Sequence, residues 1–226
     1  YCGHTYLNPY NQNALLRERI FNEKNYLPVY FRIVDGKLIV TENASPAALE
    51  KGSEITRLNG VPARKIIETL LRVTKGDGTN TLAHRLQSIE LTRFEAERYA
   101  LFDWYFPLFF PLAGETFSIE ATDFATGKTL KFQVPAMNKA QRTAEMAKRY
   151  GAAPTYDDGW RFAIEPNSIA YLKIDNSITW RLKNIKYKEF LANAFAEMRG
   201  KAIKNLIIDL RGNGGGDTGC GFEPAR

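Results

Sequence analysis

The residues with the clearest chemical potential form a glycine cluster near the end of the sequence. Gly212, Gly214, Gly215 and Gly216 follow an apolar run in the stretch NLIIDLRGNGGGD, which covers residues 205–217. Glycines directly after a buried strand let backbone N–H groups approach a ligand or a developing negative charge, because no side chain stands in the way. The cluster therefore predicts either an anion-binding loop or a tight strand-to-helix turn that binds nothing.

Two kinds of nucleotide site can be tested against this cluster. A phosphate-binding P-loop needs Lys-Ser or Lys-Thr after its last glycine, and that pair is missing. A dinucleotide fingerprint matches at Gly214, Gly216 and Gly219, but Gly221 and Pro224 would interrupt the helix that must follow it. The remaining functional interpretation is an oxyanion hole, in which N–H groups stabilise the tetrahedral intermediate of acyl transfer.

An acid and a base, Asp209 and Arg211, stand two residues apart at the end of the apolar run. Alternate residues of a strand point to the same side of the sheet, so the two side chains can bond to each other. We expect them to make structural hydrogen bonds rather than to act in catalysis.

The composition argues against several classes of protein and site. Hydrophobic residues make up 44% of the 226 residues, which is enough for one large core or two smaller ones. The net charge of +6 is spread along the chain, so we predict no nucleic-acid partner. Two distant cysteines, Cys2 and Cys220, and only two histidines predict neither a metal site nor a disulfide framework, and we expect no cofactor. No apolar run reaches the roughly 18 residues of a membrane span.

Hydrophobic periodicity predicts a β-rich first part. Two β-prone runs, residues 27–34 and 37–42, flank Asp35-Gly36, which is a strong hairpin signal. The further elements expected in this part are a short helix at 46–51, a strand at 54–58, a helix starting at Pro62, a longer helix at 79–104 and a second hairpin over 117–134.

The second part has a different pattern. A polar helix near 139–150 and a loop at 151–159 lead to strands at 160–164 and 169–174. An amphipathic helix around 190–198 then precedes a strand at 206–210 that is apolar at four of five positions. A helix that leads into a fully buried strand is typical of an α/β unit.

Three stretches resemble one protein family. NLIIDLRGNGGGD resembles the glycine motif of the S41 peptidases, which include the C-terminal processing (tail-specific) and tricorn-type serine proteases. GSEITRLNGVPARKII, at 52–67, is similar to the strand and turn of their embedded PDZ-like domain, and CGHTYL, at 2–7, is similar to the element that precedes that domain. The resemblance implies an α+β or α/β protein, with a PDZ-like β-rich domain before the beginning of an α/β (ClpP/crotonase-like) catalytic core.

The same resemblance implies a domain organisation. Residues 1–26 would form an N-terminal segment with the GHT element, and 27–135 a PDZ-like domain with a helical insertion at about 79–110. Residues 136–159 would then be a linker or crossover, and 160–226 part of the S41 catalytic core. Since the sequence starts at Tyr1 without an initiator methionine, we expect a piece of a longer protein.

The resemblance also assigns roles to residues. It implies that Gly215, flanked by Gly214 and Gly216, is the oxyanion donor, and that His4 is the general base, as in the tricorn-like branch. A neutral imidazole suits that role because its pKa lies near working pH. The alternatives are that His4 is a capping or surface histidine and that a downstream lysine is the base. His84, within a helical pattern, is expected to be structural.

No nucleophile is expected in this chain. Family nucleophiles lie well after the glycine motif, and no serine stands in the matching place. The serines concerned are Ser45, Ser53, Ser88, Ser118, Ser168 and Ser177.

The predicted function is peptide-bond hydrolysis by a serine-type endopeptidase, with a peptide or protein as substrate, and the chain by itself is expected to be inactive. The alternative is a non-enzymatic S41-like or PDZ-like module that binds peptides or apolar ligands. The resemblance implies a secreted or periplasmic location. The sequence makes no prediction of oligomeric state.

Overall fold

The computed structural model describes residues 14–15, 22–74, 82–93, 100–217 and 219. The chain divides into two compact units, residues 1–153 and 154–226. Both units mix helices with strands. Within the described residues, no helix is both long enough and apolar enough to cross a membrane.

The first unit is built on a six-stranded antiparallel sheet. Its strands are β1 (Val29–Val34), β2 (Lys37–Asn43), β3 (Glu54–Leu58), β4 (Val61–Pro62), β5 (Thr116–Thr122) and β6 (Thr129–Pro135). The order is β1-β2-β3-β5-β6, with β4 paired to β3. Both predicted hairpins, β1–β2 and β5–β6, are confirmed. Asp35 and Gly36 have φ of 49° and 73°, as the two-residue turn between β1 and β2 requires.

Four helices of this unit have both ends within the described residues: α1 (Ala63–Leu71), α2 (Leu82–Ile89), α3 (Leu101–Phe109) and α4 (Lys139–Tyr150). Helix α4 is confirmed with the predicted bounds, and its capping box, formed by Asn138 and Gln141, explains its sharp start. Helix α1 begins one residue later than predicted. Pro62 has an extended ψ of 137° and caps the helix instead of opening it.

Two predicted helices of this unit are wrong. No helix forms at 46–51, because the Asn43 side chain organises this stretch as a loop by donating to the carbonyls of Ala47 and Leu49 at 2.8 and 3.2 Å. The single helix at 79–104 is replaced by α2 and α3. Helix α2 ends at Ile89, and Leu91 pairs with β1 in an antiparallel bridge to Phe31.

The core of the first unit fills the space between this sheet and the helices. Its largest completely buried apolar side chains include Phe31, Phe102, Phe106, Phe117 and Leu58. The rings of Phe102 and Phe106 stack at 4.7 Å, and Phe31 meets Phe102 edge-on at 5.1 Å. Apolar faces of α1 and α3 therefore cover one side of the sheet, as the periodicity of α1 predicts.

The described residues of the second unit form a small three-stranded sheet with one long helix. Its elements are β7 (Trp160–Glu165), β8 (Ile169–Ile174), α5 (Tyr187–Gly200) and β9 (Asn205–Asp209). Strands β7 and β8 are antiparallel and β9 runs parallel to β8, so β8, α5 and β9 form the predicted α/β unit. Trp160, Leu172, Ile174 and Leu191 form its core.

The prediction of a fully buried last strand is wrong. Strand β9 lies at the edge of the described sheet, and Ile207, Ile208 and Leu210 are each about half exposed, at 50%, 49% and 54%. An apolar strand is buried on both faces only where other elements pack against both faces of its sheet. In the part of the chain that the structure describes, this strand has one neighbour.

Candidate active site

The glycine cluster lies where β8 and β9 both end. The two strands are parallel, so their carboxyl ends meet at one edge of the sheet, which is where open α/β sheets bind ligands. The segment after β8 runs through Ser177 into a 3₁₀ turn, Thr179–Arg181. The segment after β9 is the glycine loop, 210–217.

The two segments are joined through their backbones. Ser177 N–H donates to the Gly215 carbonyl at 3.1 Å, and Asp217 N–H donates to the Ser177 carbonyl at 2.6 Å. Between these two bonds Gly216 has φ +144°, and a Cβ atom there would lie 2.2 Å from the Ser177 carbonyl oxygen. Position 216 therefore admits only glycine.

Asn213 adds a side-chain link between the same segments. Its Nδ2 donates to the carbonyl of Ile174 at 2.9 Å and to Ser177 Oγ at 3.2 Å, and its Oδ1 accepts the Gly215 N–H at 2.8 Å. Sequence reasoning missed this residue. The available signal was an asparagine in a glycine-rich turn, where its side chain commonly accepts from the N–H two residues on.

A carboxylate closes the other end of the loop. Asp217 accepts the Thr179 hydroxyl at 2.7 Å and the Gly219 N–H at 2.8 Å. The hydrogen bond from Thr179, and then that from Gly219, hold the pKa of Asp217 below its usual range. Asp217 is therefore ionised at neutral pH and fixes the 3₁₀ turn to the glycine loop.

Asp209 and Arg211 make the expected structural hydrogen bonds. The Arg211 side chain donates to both oxygens of Asp209, at 2.8 and 2.7 Å, and the Tyr171 hydroxyl donates a short bond to the same carboxylate. Hydrogen bonds from Arg211 and then Tyr171 hold the pKa of Asp209 well below its ordinary value. The carboxylate is saturated with donors, so it is not free to act as a base.

An open depression of about 470 Å³ lies beside this ion pair on the second unit. It is lined by Tyr171, Ile207, Ile208, Asp209, Leu210 and Arg211. Half-exposed apolar side chains line this depression next to the glycine loop, so it can receive an apolar group.

The structure brings together the predicted Gly214, Gly215 and Gly216, and adds Asn213 and Ser177 to them. Gly215 N–H is already bonded to Asn213, whereas the N–H groups of Gly214 and Gly216 donate to no acceptor among the described residues. His4 lies outside the described residues.

The two remaining site expectations concern His84 and metal ions. His84 is exposed on α2 of the first unit. In the described ranges, no group of three or more His, Cys, Asp or Glu side chains could hold a metal ion.

The segment that carries this site is similar in sequence to a known protein family. Residues 168–223 match the family model described as Peptidase family S41. This segment contains β8, α5, β9 and the glycine loop, so the S41 resemblance of the glycine motif is confirmed there. No curated protein matches the chain by sequence.

Solved structures with a similar fold cover more of the chain. The crystal structure of mature CPAF is similar over 85% of this chain and 41% of its own, with 14% sequence identity and a TM-score of 0.50. The crystal structure of a CPAF point mutant is similar over 85% and 42%, with 14% identity and a TM-score of 0.51. At this identity the likeness shows the fold alone. The chain spans about two fifths of the length of these structures.

Proposed function

We propose that this chain is part of a serine-type endopeptidase of family S41, which hydrolyses peptide bonds by acyl transfer. The observation that carries the proposal is the family match over residues 168–223, because it includes the glycine loop. Within that loop, Gly214 and Gly216 present N–H groups that donate to no acceptor among the described residues.

The proposed chemistry of the loop is electrostatic. Attack on a peptide carbonyl converts it to a tetrahedral oxyanion, which N–H donors at about 2.7–3.1 Å stabilise. These donors act best when they are held in place before the reaction. The links from Ser177 and Asn213 to the loop support this role, because they fix its backbone from the neighbouring strand.

The nucleophile and the base are proposed from the family resemblance. It places the nucleophilic serine on an element after the glycine motif, and it makes His4 the general base. Ser177 is the described serine beside the loop, but its Oγ accepts from Asn213 and its backbone is bonded to Gly215 and Asp217. We therefore assign Ser177 to the scaffold of the loop.

The finer assignment of the two units rests on the same resemblance. We propose a PDZ-like domain from residue 27 and a ClpP/crotonase-like core in the second unit. Because α4 belongs to the compact unit of residues 1–153, we propose the boundary at 153/154 rather than a linker at 136–159. A peptide or protein substrate and a secreted or periplasmic location complete the proposal.

The test uses the full-length protein and the 226-residue chain side by side. We expect a fluorophosphonate probe to label one serine of the full-length protein, outside this chain, and the full-length protein to cleave a generic peptide. The 226-residue chain should show neither reaction. Ser177→Ala in the full-length protein serves as the control and should retain labelling.

Two results would overturn the proposal. One is a correctly folded full-length protein that neither takes up the probe nor cleaves any peptide of a broad library. The other is peptide turnover by the 226-residue chain that Ser177→Ala abolishes, because the nucleophile would then lie inside the chain.

A further inference from the structure

Asn213 connects the two chain segments that form the candidate site. Its side-chain amide donates to the carbonyl of Ile174, at the end of β8, and accepts from Gly215 N–H in the loop after β9. A carbonyl can only accept and a backbone N–H can only donate, so these partners define the orientation of the amide without ambiguity. A third bond, from Nδ2 to Ser177 Oγ at 3.2 Å, uses the second N–H of the amide.

The loop needs such an anchor because of its glycines. Gly215 and Gly216 have φ of +100° and +144°, and glycine is the residue with the greatest backbone freedom. Without a fixed contact these residues would sample many conformations, and their N–H groups would be poorly directed. Asn213 restrains the loop from the rigid end of the adjacent strand.

We infer that Asn213 is a positioning residue, which keeps Gly215 N–H inside the loop and leaves the N–H groups of Gly214 and Gly216 to stabilise the oxyanion. This inference rests on the proposed peptidase function. It differs from the assignment of Gly215 as donor, since Gly215 would first have to release Asn213. The two assignments predict opposite results when Asn213 is removed. If Gly215 is the oxyanion donor, loss of the Asn213 amide frees its N–H group and activity is kept. If Gly214 and Gly216 are the donors, the same loss disorders their N–H groups and activity falls.

Changing Gly215 itself cannot decide between them. Proline would remove the N–H, but its φ is restricted to about −65°, whereas Gly215 has φ +100°. Lost activity in Gly215→Pro would therefore report a distorted loop. Variants of Asn213 leave the backbone of both glycines intact.

The experiment combines amide hydrogen exchange of the 226-residue chain with steady-state kinetics of the full-length protein. Asn213→Ala should speed the exchange of Gly215 about tenfold, as the loss of one hydrogen bond implies. It should lower kcat about 10- to 100-fold, with KM changed less than about twofold, because only the transition state uses the donors. Asn205→Ala is the matched control. Asn205 is exposed at the start of β9, with no side-chain hydrogen bond among the described residues, and its loss should change neither quantity.

Asn213→Asp separates positioning from simple structural support. Aspartate keeps an acceptor for Gly215 N–H but cannot donate to Ile174, and its charge opposes a second negative charge nearby. We expect Gly215 to stay protected from exchange and kcat to fall, with Tm lowered no further than in Asn213→Ala, which loses the same bond to Ile174. A residue with only a structural role would lower the exchange protection of Gly215 together with Tm and kcat.

Three outcomes contradict the inference. One is an active Asn213→Ala enzyme with normal or raised kcat, which would return the donor role to Gly215. Another is unchanged exchange of Gly215, and a third is an Asn213→Asp enzyme with full kcat. If the wild-type full-length protein cleaves no peptide, the proposed function fails and this inference fails with it.

Discussion

Gly215 and Gly216 are glycines for different physical reasons. At Gly216 the reason is steric, since a side chain would collide with the Ser177 backbone. At Gly215 a Cβ would meet nothing within 4 Å, and the reason is the positive φ. Gly214 has neither constraint, so Gly214→Ala is compatible with the fold. Gly215 and Gly216 are therefore required by the conformation of the loop, whereas the fold does not require a glycine at position 214.

Three carboxylates of the second unit should make its stability depend on pH in the acidic range. Arg211 lowers the pKa of Asp209, and Thr179 lowers that of Asp217. Burial opposes ionisation of Asp157, but the N–H groups of residues 183–185 outweigh it and lower its pKa as well. A carboxyl whose folded pKa is below its unfolded value of about 3.9 adds stability above that pH and loses it as the pH falls through the folded pKa.

We therefore expect the second unit to lose stability as the pH falls from about 4 towards 2. Asp217→Asn should lower its stability to urea at pH 7 and lower it less at pH 2, because the wild-type carboxyl takes up its proton as the pH falls towards the folded pKa. Amide hydrogen exchange, measured separately for the two units at increasing urea concentrations and at each pH, gives the stability of the second unit. An equal loss at both pH values would mean that the charge of Asp217 does not contribute.

At the scale of elements, α3 and α4 are joined by a buried ion pair. Arg142 on α4 donates to Asp103 on α3 at 2.8 Å, and both side chains are 1% exposed. The guanidinium also lies 4.9 Å from the ring centroids of Tyr26 and Tyr30. Removing one member of a buried pair leaves an uncompensated charge in the interior.

Arg142→Met should therefore destabilise the first unit by about 3–5 kcal/mol, as measured by urea unfolding. The double variant Arg142→Met with Asp103→Leu should recover a large part of that loss, because it removes the unpaired charge. A single variant within about 1 kcal/mol of wild type would show that Asp103 finds another partner or becomes neutral.

A second effect at this scale concerns the outer edge of β1. Phe31 and Leu91 exchange two backbone hydrogen bonds of 3.0 and 3.2 Å, and Ile33 N–H donates to the Glu90 carboxylate at 2.8 Å. Leu91 is completely buried. An extended peptide that added to β1 would have to displace this segment, which weighs against the binding-module alternative at this edge.

Peptide binding at the β1 edge should therefore be weak in the wild type and stronger in Glu90→Ala, which frees the Ile33 N–H. We expect a gain of about fivefold to tenfold in affinity for extended peptides with apolar C-termini, the contribution of about one hydrogen bond. Glu90→Gln keeps an acceptor and is the matched control. Equal affinities of all three proteins, or no preference over C-terminally amidated peptides, would place peptide binding elsewhere.

At the scale of the whole molecule, the chain has two units, each with its own core. The apolar content predicts one core or two, and contacts in the fold assign α4 to the first unit. The second unit carries the glycine loop on a sheet whose last strand is half exposed. The fold similarity to mature CPAF covers about two fifths of that protein's length.

The amino-acid sequence by itself determined the elements whose signals are local. The Asp35-Gly36 turn, the alternation in β5 and β6, and the caps of α4 depend on neighbours a few residues away, so pattern and propensity were sufficient. The glycine motif was also evident, because its composition is unusual and it resembles a family motif. The family match over residues 168–223 confirms that resemblance.

Only the tertiary structure decided what depends on residues distant in sequence. Leu91 is not helical as predicted, because its backbone forms hydrogen bonds with Phe31 in β1, about 60 residues earlier in the sequence. The burial of Arg142, the exposure of Ile207 and the bonds of Asn213 to Ile174 and Ser177 likewise depend on elements about 35 or more residues away. Apolar periodicity records which residues can be buried, but the order of strands in a sheet decides which are.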